Sequence, residues 1–526
     1  MNILSKYWHT IRHLQPIQIR YRIYYALKRF FRHKLPLRSS AKPSVQILPA
    51  FLELRNPLSH NTSYIGESCF RFLNIEHAFP DKINWNLDDH GKLWTYNLNY
   101  FDFLLDAAID PETGVQLISE FIENYDLLKD GKDPYPTSMR IMNWIKFISM
   151  HRITNEKITQ VIALDLHRLN KNLEYHLMGN HLLENGFALL FGAVYLKDLD
   201  KYQKSRMLLL EQLDEQVLAD GAHFELSPMY HQIIVSRILS CIDLIKHNPV
   251  FEAEDLLEVL LAKASLMLGW LTEICFQNGE VPAVNDTTEG IAPNTKAIFQ
   301  QANQLGIKYT NQTLGASGYR KRVTSFYELL ADVGHIGPDY IPGHAHSDTL
   351  NFLLNIKKQP VIVDTGISTY EKNILRHAQR STSAHNTVMV HNTEQSEVWD
   401  GFRVARRAKI SLMTDTPDVL EASHDGYQHL GLELKRSFRF SDQQINITDT
   451  LSRPAEAKAY LHFHSNVKIR QDGNELHGDF GSITFQGASE ITIERYDLAK
   501  GFNVTHPAEM VVISFSQQLT TSIQVL

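Results

Sequence analysis

Near residue 310 the spacing of apolar residues changes, and it does so once. From about 95 to 310, stretches such as VQLISEFIENYDLL, TSMRIMNWIKFISM and HQIIVSRILSCIDLIKHN place apolar residues three and four apart, the period of helices with one buried face. After about 320, short runs such as FYELLADVG, TLNFLLNI, PVIVDTG, NTVMVH and MVVISFS are rich in Val, Ile, Thr and aromatics, with Gly, Asp, Asn or Pro between them. That is the pattern of strands. The chain is therefore multidomain, α then β: a helical bundle or ring of helical hairpins, then a large antiparallel sheet or sandwich. We divide it into a basic N-terminal arm (1–60), a helical domain (61–318) and a β domain (319–526).

A chain of 526 residues is too long for one ordinary core, and 43% apolar with 21% charged residues is globular composition. No apolar run approaches the ~20 residues of a spanning helix. Cys69, Cys241 and Cys275 are odd in number and far apart, which argues for buried thiols rather than a disulfide framework. The first 52 residues carry ten Lys or Arg and no Asp or Glu, in a chain whose net charge is −7. This aromatic and cationic arm has no apolar h-region of a secretory signal, so the expected location is cytoplasmic or inner-membrane-associated, with the periplasm left open. The arm either docks on the body or makes peripheral contact with an anionic membrane. The acidic remainder carries no nucleic-acid reader motif.

Four clusters carry residues capable of chemistry. In GHAHSDT, His344, His346 and Asp348 alternate; entering a strand, they would share one face. His346, Asp364 in PVIVDTG and His385 in SAHNTV lie on or beside successive predicted strands, two imidazoles and a carboxylate of the kind zinc takes. Hydrogen-bonded strand histidines explain the same spacing. In GNHLLENG, His181 and Glu184 fall one turn apart on a helix opened by Asn180. In HFELSPMYHQ, Tyr230 follows a Ser-Pro that suits a helix start, and capping alone explains both stretches equally well. Arg140, in PYPTSMRIMNW, is placed to face a cleft.

GNHLLENG, ELSPMYH, GHAHSDTLNF, VIVDTG and SAHNTV, in that order, together with PYPTSMRIMNW and EVWDGFRVARRA, resemble the heparinase II/III-like polysaccharide lyases over roughly residues 90–520. The resemblance implies an incomplete (α/α) toroid followed by an antiparallel β-sandwich. It also implies β-elimination on a uronic-acid-containing glycan. That reaction needs a donor to the uronate carboxylate as charge grows on it, a base for the C5 proton and an acid for the departing O4. Carried over, Asn180 binds the carboxylate, Tyr230 is the acid and also a base on one face, and His344 is the other base or a second carboxylate contact, depending on the C5 epimer. His181, Glu184, Arg140 and Arg403 bind substrate. His346, Asp364 and His385 match positions that hold zinc in some members, and no organic cofactor is implied. Relatives with such N-termini suggest a role in capsule or lipopolysaccharide synthesis. An acidic chain needs a locally positive cleft, for which Arg376, Arg380, Arg406 and Arg407 are further candidates. Two other readings compete: a glycoside hydrolase pairing Glu184 or Glu225 with Asp286, and a non-catalytic glycan-binding component of an assembly complex.

Overall fold

The structure, a computed structural model, describes residues 3–34, 51–55, 62–106 and 109–526. Two helices open it, α1 (Ile3–Ile11) and α2 (Pro16–Lys34), followed by a small antiparallel sheet of β1 (Tyr64–Gly66), β2 (Cys69–Phe72) and β3 (Ile75–Ala78). This sheet precedes the helical period and was not expected. Residues 35–50 and 56–60 of the arm lie outside the described residues. Residues 51–55 belong to the helical body: Leu52 is buried in its core and its N–H donates to Ser149 Oγ at 3.2 Å.

The helical region comprises α3 (Lys92–Tyr100), α4 (Pro111–Glu123), α5 (Pro134–Met150), α6 (Glu156–Asn170), α7 (Gly179–Leu196), α8 (Leu199–Gln216), α9 (Pro228–His247), α10 (Glu254–Ile274) and α11 (Thr295–Gln304). Successive helices pair as hairpins, with α7 packed between α5 and α8, and α9 against α10. α7 is buried on nearly every side, which is why its sequence, LLENGFALLFGAVYL, is apolar around the whole cylinder. The architecture is a helical toroid followed by a β-sandwich.

In the β region a four-stranded sheet runs β4 (Tyr319–Val323), β5 (Tyr327–Asp332), β6 (Phe352–Ile356) and β7 (Gln359–Ile362). A larger sheet is built around two long strands ending the chain, Gly481–Gly501 and Val504–Val525, antiparallel to one another. Leu329, Leu354 and Ile362 of the first sheet share one core with Phe438, Ile447 and Ile513 of the second, the two inner faces of a sandwich.

Two helix starts and one loop position the site. α9 begins as its sequence says, with Ser227 accepting from the Tyr230 N–H at 3.5 Å and Pro228 in the first turn. α7 begins differently from the expected Asn180 cap. Its first residue is Gly179, Met178 before it has φ 66°, and Glu225 Oε1 accepts the Asn180 N–H at 2.8 Å. A carboxylate 45 residues away thus does the capping that a local side chain usually does. Gly179 is required there: its φ is +57°, and a Cβ would sit 2.5 Å from that same Glu225 oxygen. Facing both helix starts is the segment 342–350. It is a loop of turns and not the beginning of a strand, because its backbone is bonded elsewhere. The His346 N–H goes to Asn285 Oδ1 (3.1 Å), the Ser347 N–H to the Arg380 carbonyl (3.0 Å), and the Asn351 N–H to the Asp348 carbonyl (2.9 Å). Pairing with β5 begins only at Leu350 and Asn351, which bond the Asp332 backbone at 3.1 and 2.9 Å.

Candidate active site

Asn180 from α7, Tyr230 from α9 and His344 from the 342–350 loop meet at one point. Asn180 Nδ2 lies 3.4 Å from His344 Nε2, and the Tyr230 ring lies against the His344 ring with centroids 4.0 Å apart. All three line a single cleft of about 1310 Å³.

What holds His344 is a carboxylate outside its own motif. Asp286, fully buried, accepts from His344 Nδ1 (2.8 Å), His346 Nε2 (2.8 Å) and both terminal nitrogens of Arg376 (2.5 and 2.6 Å). Arg376 sits on α12 (Ile374–Gln379). Burial alone would raise the Asp286 carboxyl, but Arg376 and the two imidazoles hold it well below the usual range. An ionised carboxylate only accepts, so Nδ1 of His344 is the donor to Asp286, and Nε2 is the nitrogen turned to the cleft, 3.4 Å from Glu225 Oε2. The backbone is stapled at the same place, with the Asp286 N–H on the His344 carbonyl (3.1 Å) and Asn285 Nδ2 on the Leu226 carbonyl (3.0 Å). The two histidines therefore do not share a strand face. They approach one carboxylate from two sides, and Asp348 orients neither.

Tyr230 is a protonated phenol in the free site. Burial first, then the neighbouring Tyr370 and the carboxylates Asp286 and Glu225, push its pKa well above the ordinary value. It fits an acid and does not fit a resting base. Its hydroxyl is 3.2 Å from that of Tyr370, whose ring rests 4.9 Å from the Arg376 guanidinium. Asn180 Nδ2 is also 3.2 Å from Glu225 Oε2, which leaves its second hydrogen for the side of His344. His181 reaches the cleft with Nδ1 on Glu174 Oε1 at 3.1 Å. Burial disfavours its charge, but Glu174, Glu225 and Glu184 outweigh burial, and its pKa is raised. Its protonated form is thereby favoured beside Asn180.

Other expected positions move. Arg140 faces no cleft: it is fully buried, with Nε and Nη2 on Asp165 at 2.9 and 2.7 Å and its plane 4.8 Å from the Phe121 ring. Its neighbours in α5 pack all round it, so the guanidinium found a partner inside. Glu184 lies beneath the cleft surface, fully buried and bonded to Arg237 Nε at 3.0 Å. Arg237 is the residue that lines the cleft, and it was missed. The signal was available, since seven residues on from Tyr230 in α9 it falls on the same helix face. Arg403 does line the cleft, stacked 4.8 Å over Trp399. Arg376, Arg380 and Arg407 are occupied by Asp286, by the Ala345 and Gly401 carbonyls, and by Asp339. The basic residues that line the cleft are Arg22, Arg71, Lys92, Arg237, Lys372 and Arg403, the last five in ion pairs, against four lining carboxylates. The cleft is thus more basic than the chain.

His346, Asp364 and His385 are close but bonded among themselves. Asp364 Oδ2 accepts from His385 Nδ1 (2.8 Å) and Asn351 Nδ2 (2.8 Å), and the rings of His346 and His385 are 5.3 Å apart. Burial lowers His346 to about 4. His346 Nδ1, His385 Nε2 and Asp348 Oδ2 are buried without partners. Among the described residues no group of three or more His, Cys, Asp or Glu is arranged to hold a metal.

A helical toroid joined to a β-sandwich, with amide, phenol and imidazole gathered at their junction, defines a class, and comparison of the sequence with known families identifies it. The family description "Heparinase II/III N-terminus" matches residues 137–308, and "Heparinase II/III-like, C-terminal" matches residues 310–526. The chain belongs to the heparinase II/III-like family. It is 26% identical over 256 residues to the heparin-sulfate lyase of Pedobacter heparinus, covering 41% of this chain and 37% of that protein. To FtsZ-localized protein C of Caulobacter vibrioides it is 26% identical over 308 residues, covering 54% and 51%. The chain thus spans about half or less of the length of these curated relatives. Among solved structures, heparinase III superposes with a TM-score of 0.66 at 14% identity, over 95% of this chain and 90% of that one; the likeness is one of fold.

Replacing Asp286 with Ala strands the buried Arg376 charge, a loss expected to cost about 3–5 kcal/mol. The unfolding midpoint in denaturant should fall accordingly. A change within about 0.5 kcal/mol of zero would show that this carboxylate anchors nothing.

Proposed function

We propose that the protein is a polysaccharide lyase that cleaves a uronate-containing acidic glycan by β-elimination. The observation that carries this reading is the meeting of Asn180, Tyr230 and His344 in one cleft, with His344 Nδ1 held by Asp286 and Nε2 turned to the substrate side. His344 takes the C5 proton, which is acidic only if the adjacent carboxylate is stabilised as negative charge develops on it. Asn180 Nδ2 and His181, whose protonated form Glu174 favours, are placed to do so, in a pocket whose burial strengthens both. Tyr230, held protonated, delivers its proton to O4 as the C4–O4 bond breaks. One proton leaves C5, one reaches O4, and a C4–C5 double bond remains; no water is consumed. Arg237 and Arg403 supply charge for neighbouring acidic sugars.

Hydrolysis by a carboxylate pair is poorly supported. Asp286 is engaged four times by cations and imidazoles, and Glu184 is tied to Arg237. Neither can serve as a proton donor facing a sugar.

We also infer a zinc ion beneath the site. Two buried imidazole nitrogens lack partners, on His346 and His385, and the buried Asp364 carboxylate adjoins them and would exchange its hydrogen bond to His385 Nδ1 for the metal; two imidazoles and a carboxylate are a donor set zinc uses. His346, Asp364 and His385 would hold it, and its charge would stiffen the loop that carries His344.

Two measurements follow. A screen of acidic polysaccharides should reveal one that yields an unsaturated product absorbing in the near ultraviolet. Tyr230→Phe and His344→Ala should each lower that rate roughly a hundred- to ten-thousand-fold while binding of the glycan persists. Glycan turnover without the chromophore, or full activity in Tyr230→Phe, contradicts the lyase. Elemental analysis of purified protein should find stoichiometric zinc, and its chelation should lower Tm by about 2–4 °C; metal-free protein with an unchanged Tm would rule the ion out.

A further inference from the structure

Helices α1 and α2 dock on the body through one face and turn their apolar face outward. The inward contacts are mainly polar or aromatic, with Ile17 packed against the core. Lys6 pairs with Glu397 at 3.2 Å, and Trp399 Nε1 donates to Thr10 Oγ1 at 3.2 Å. Gln18 Nε2 donates to the Leu177 and Tyr340 carbonyls (3.2 and 3.3 Å), and the Tyr25 hydroxyl to the Leu173 carbonyl (2.7 Å). On α1, Leu4 and Trp8 face away from the body, exposed to 76% and 67%, and Ile3, Tyr7 and Ile11 are also exposed, although the Tyr7 ring packs edge-on against Trp399. On α2, Ile19, Ile23 and Leu27 follow one another at four-residue steps along the exposed side, with Tyr24 and Phe31 beside them. Arg12, Arg20, Arg22 and Arg29 are exposed around this stripe, and no acidic residue precedes Glu53.

A surface helix of a water-soluble body normally hides such a stripe. Here the fold holds it away from the core and rims it with arginines. A second copy of the same arm would bring like charges together, whereas an anionic lipid surface offers opposite charge to the rim and an apolar layer to the stripe. No described helix is long and apolar enough to cross a membrane, so the arm would lie on the surface. Tyr7, Ile11, Ile19 and Ile23 also line the cleft that contains Tyr230 and His344. The stripe therefore runs into the cleft mouth.

We propose that α1 and α2 seat the protein on an anionic bilayer with the mouth of the cleft turned toward the lipid. Resting on the lyase reading, this makes the substrate an acidic glycan attached to or lying at that membrane. The arm then has two roles at once: it forms one wall of the cleft, and it decides which glycans reach it.

The test is flotation of the full-length protein with phosphatidylglycerol-containing vesicles and with pure phosphatidylcholine vesicles. No glycan or turnover is needed, so the result is independent of the lyase assay. Binding should occur to the anionic vesicles only and weaken as salt is raised. Trp8→Glu/Leu27→Glu, two residues outside the cleft lining, should reduce the bound fraction roughly tenfold or more with an unchanged melting midpoint. Should that variant melt early, the lipid and salt dependence of the wild-type protein decides alone. Failure to float with anionic vesicles, equal flotation with both lipids, or undiminished binding of a folded variant overturns the proposal. So does a self-associating wild-type protein that ignores vesicles and becomes monomeric in the variant, which would assign the face to a second copy.

Discussion

The site depends on a single buried carboxylate. Asp286 receives two imidazoles and a bidentate guanidinium, and those partners come from separate stretches of chain. A carboxylate so placed is costly to bury and is kept ionised only because its partners surround it. The same bonds hold Nδ1 of His344, aim its other nitrogen at Asn180, and tie the loop before α11 to the loop before β6. Toroid and sandwich are therefore joined at the point where the chemistry takes place.

A second buried pair extends this logic to the cleft floor. Glu184 and Arg237 neutralise each other beneath the surface, yet Arg237 still lines the cleft. Glu225 does similar service at the start of α7, where it takes the first-turn N–H of Asn180 and holds the amide. Asn180, His344 and Arg237 are thus each oriented by a buried carboxylate. The acidity of the chain as a whole is no obstacle, because the cleft lining carries more basic than acidic side chains.

Much of the architecture was legible in the apolar period. Helical and strand periods are local properties, and α5, α7, α9, β6 and β7 lie where those periods fall. The Ser-Pro start of α9 was readable for the same reason. What was not legible depended on distant partners. The strand expected at His344 is a loop because its N–H groups go to Asn285 and Arg380, far away in sequence. Arg140 was expected in a cleft because nothing local revealed Asp165 waiting inside. Asp286, weighed as a hydrolytic acid, turned out to be the orienting group, since its role is defined only by what surrounds it. The three-stranded sheet at 64–78 was overlooked because its strands are only three or four residues long.

The most direct test of the account is a crystal structure of Tyr230→Phe with an acidic oligosaccharide bound. The uronate carboxylate should lie within hydrogen-bonding distance of Asn180 Nδ2, with C5 next to His344 Nε2 and O4 facing the position of the missing hydroxyl. An oligosaccharide bound with its uronate away from Asn180, or with His344 rotated off Asp286, would contradict it.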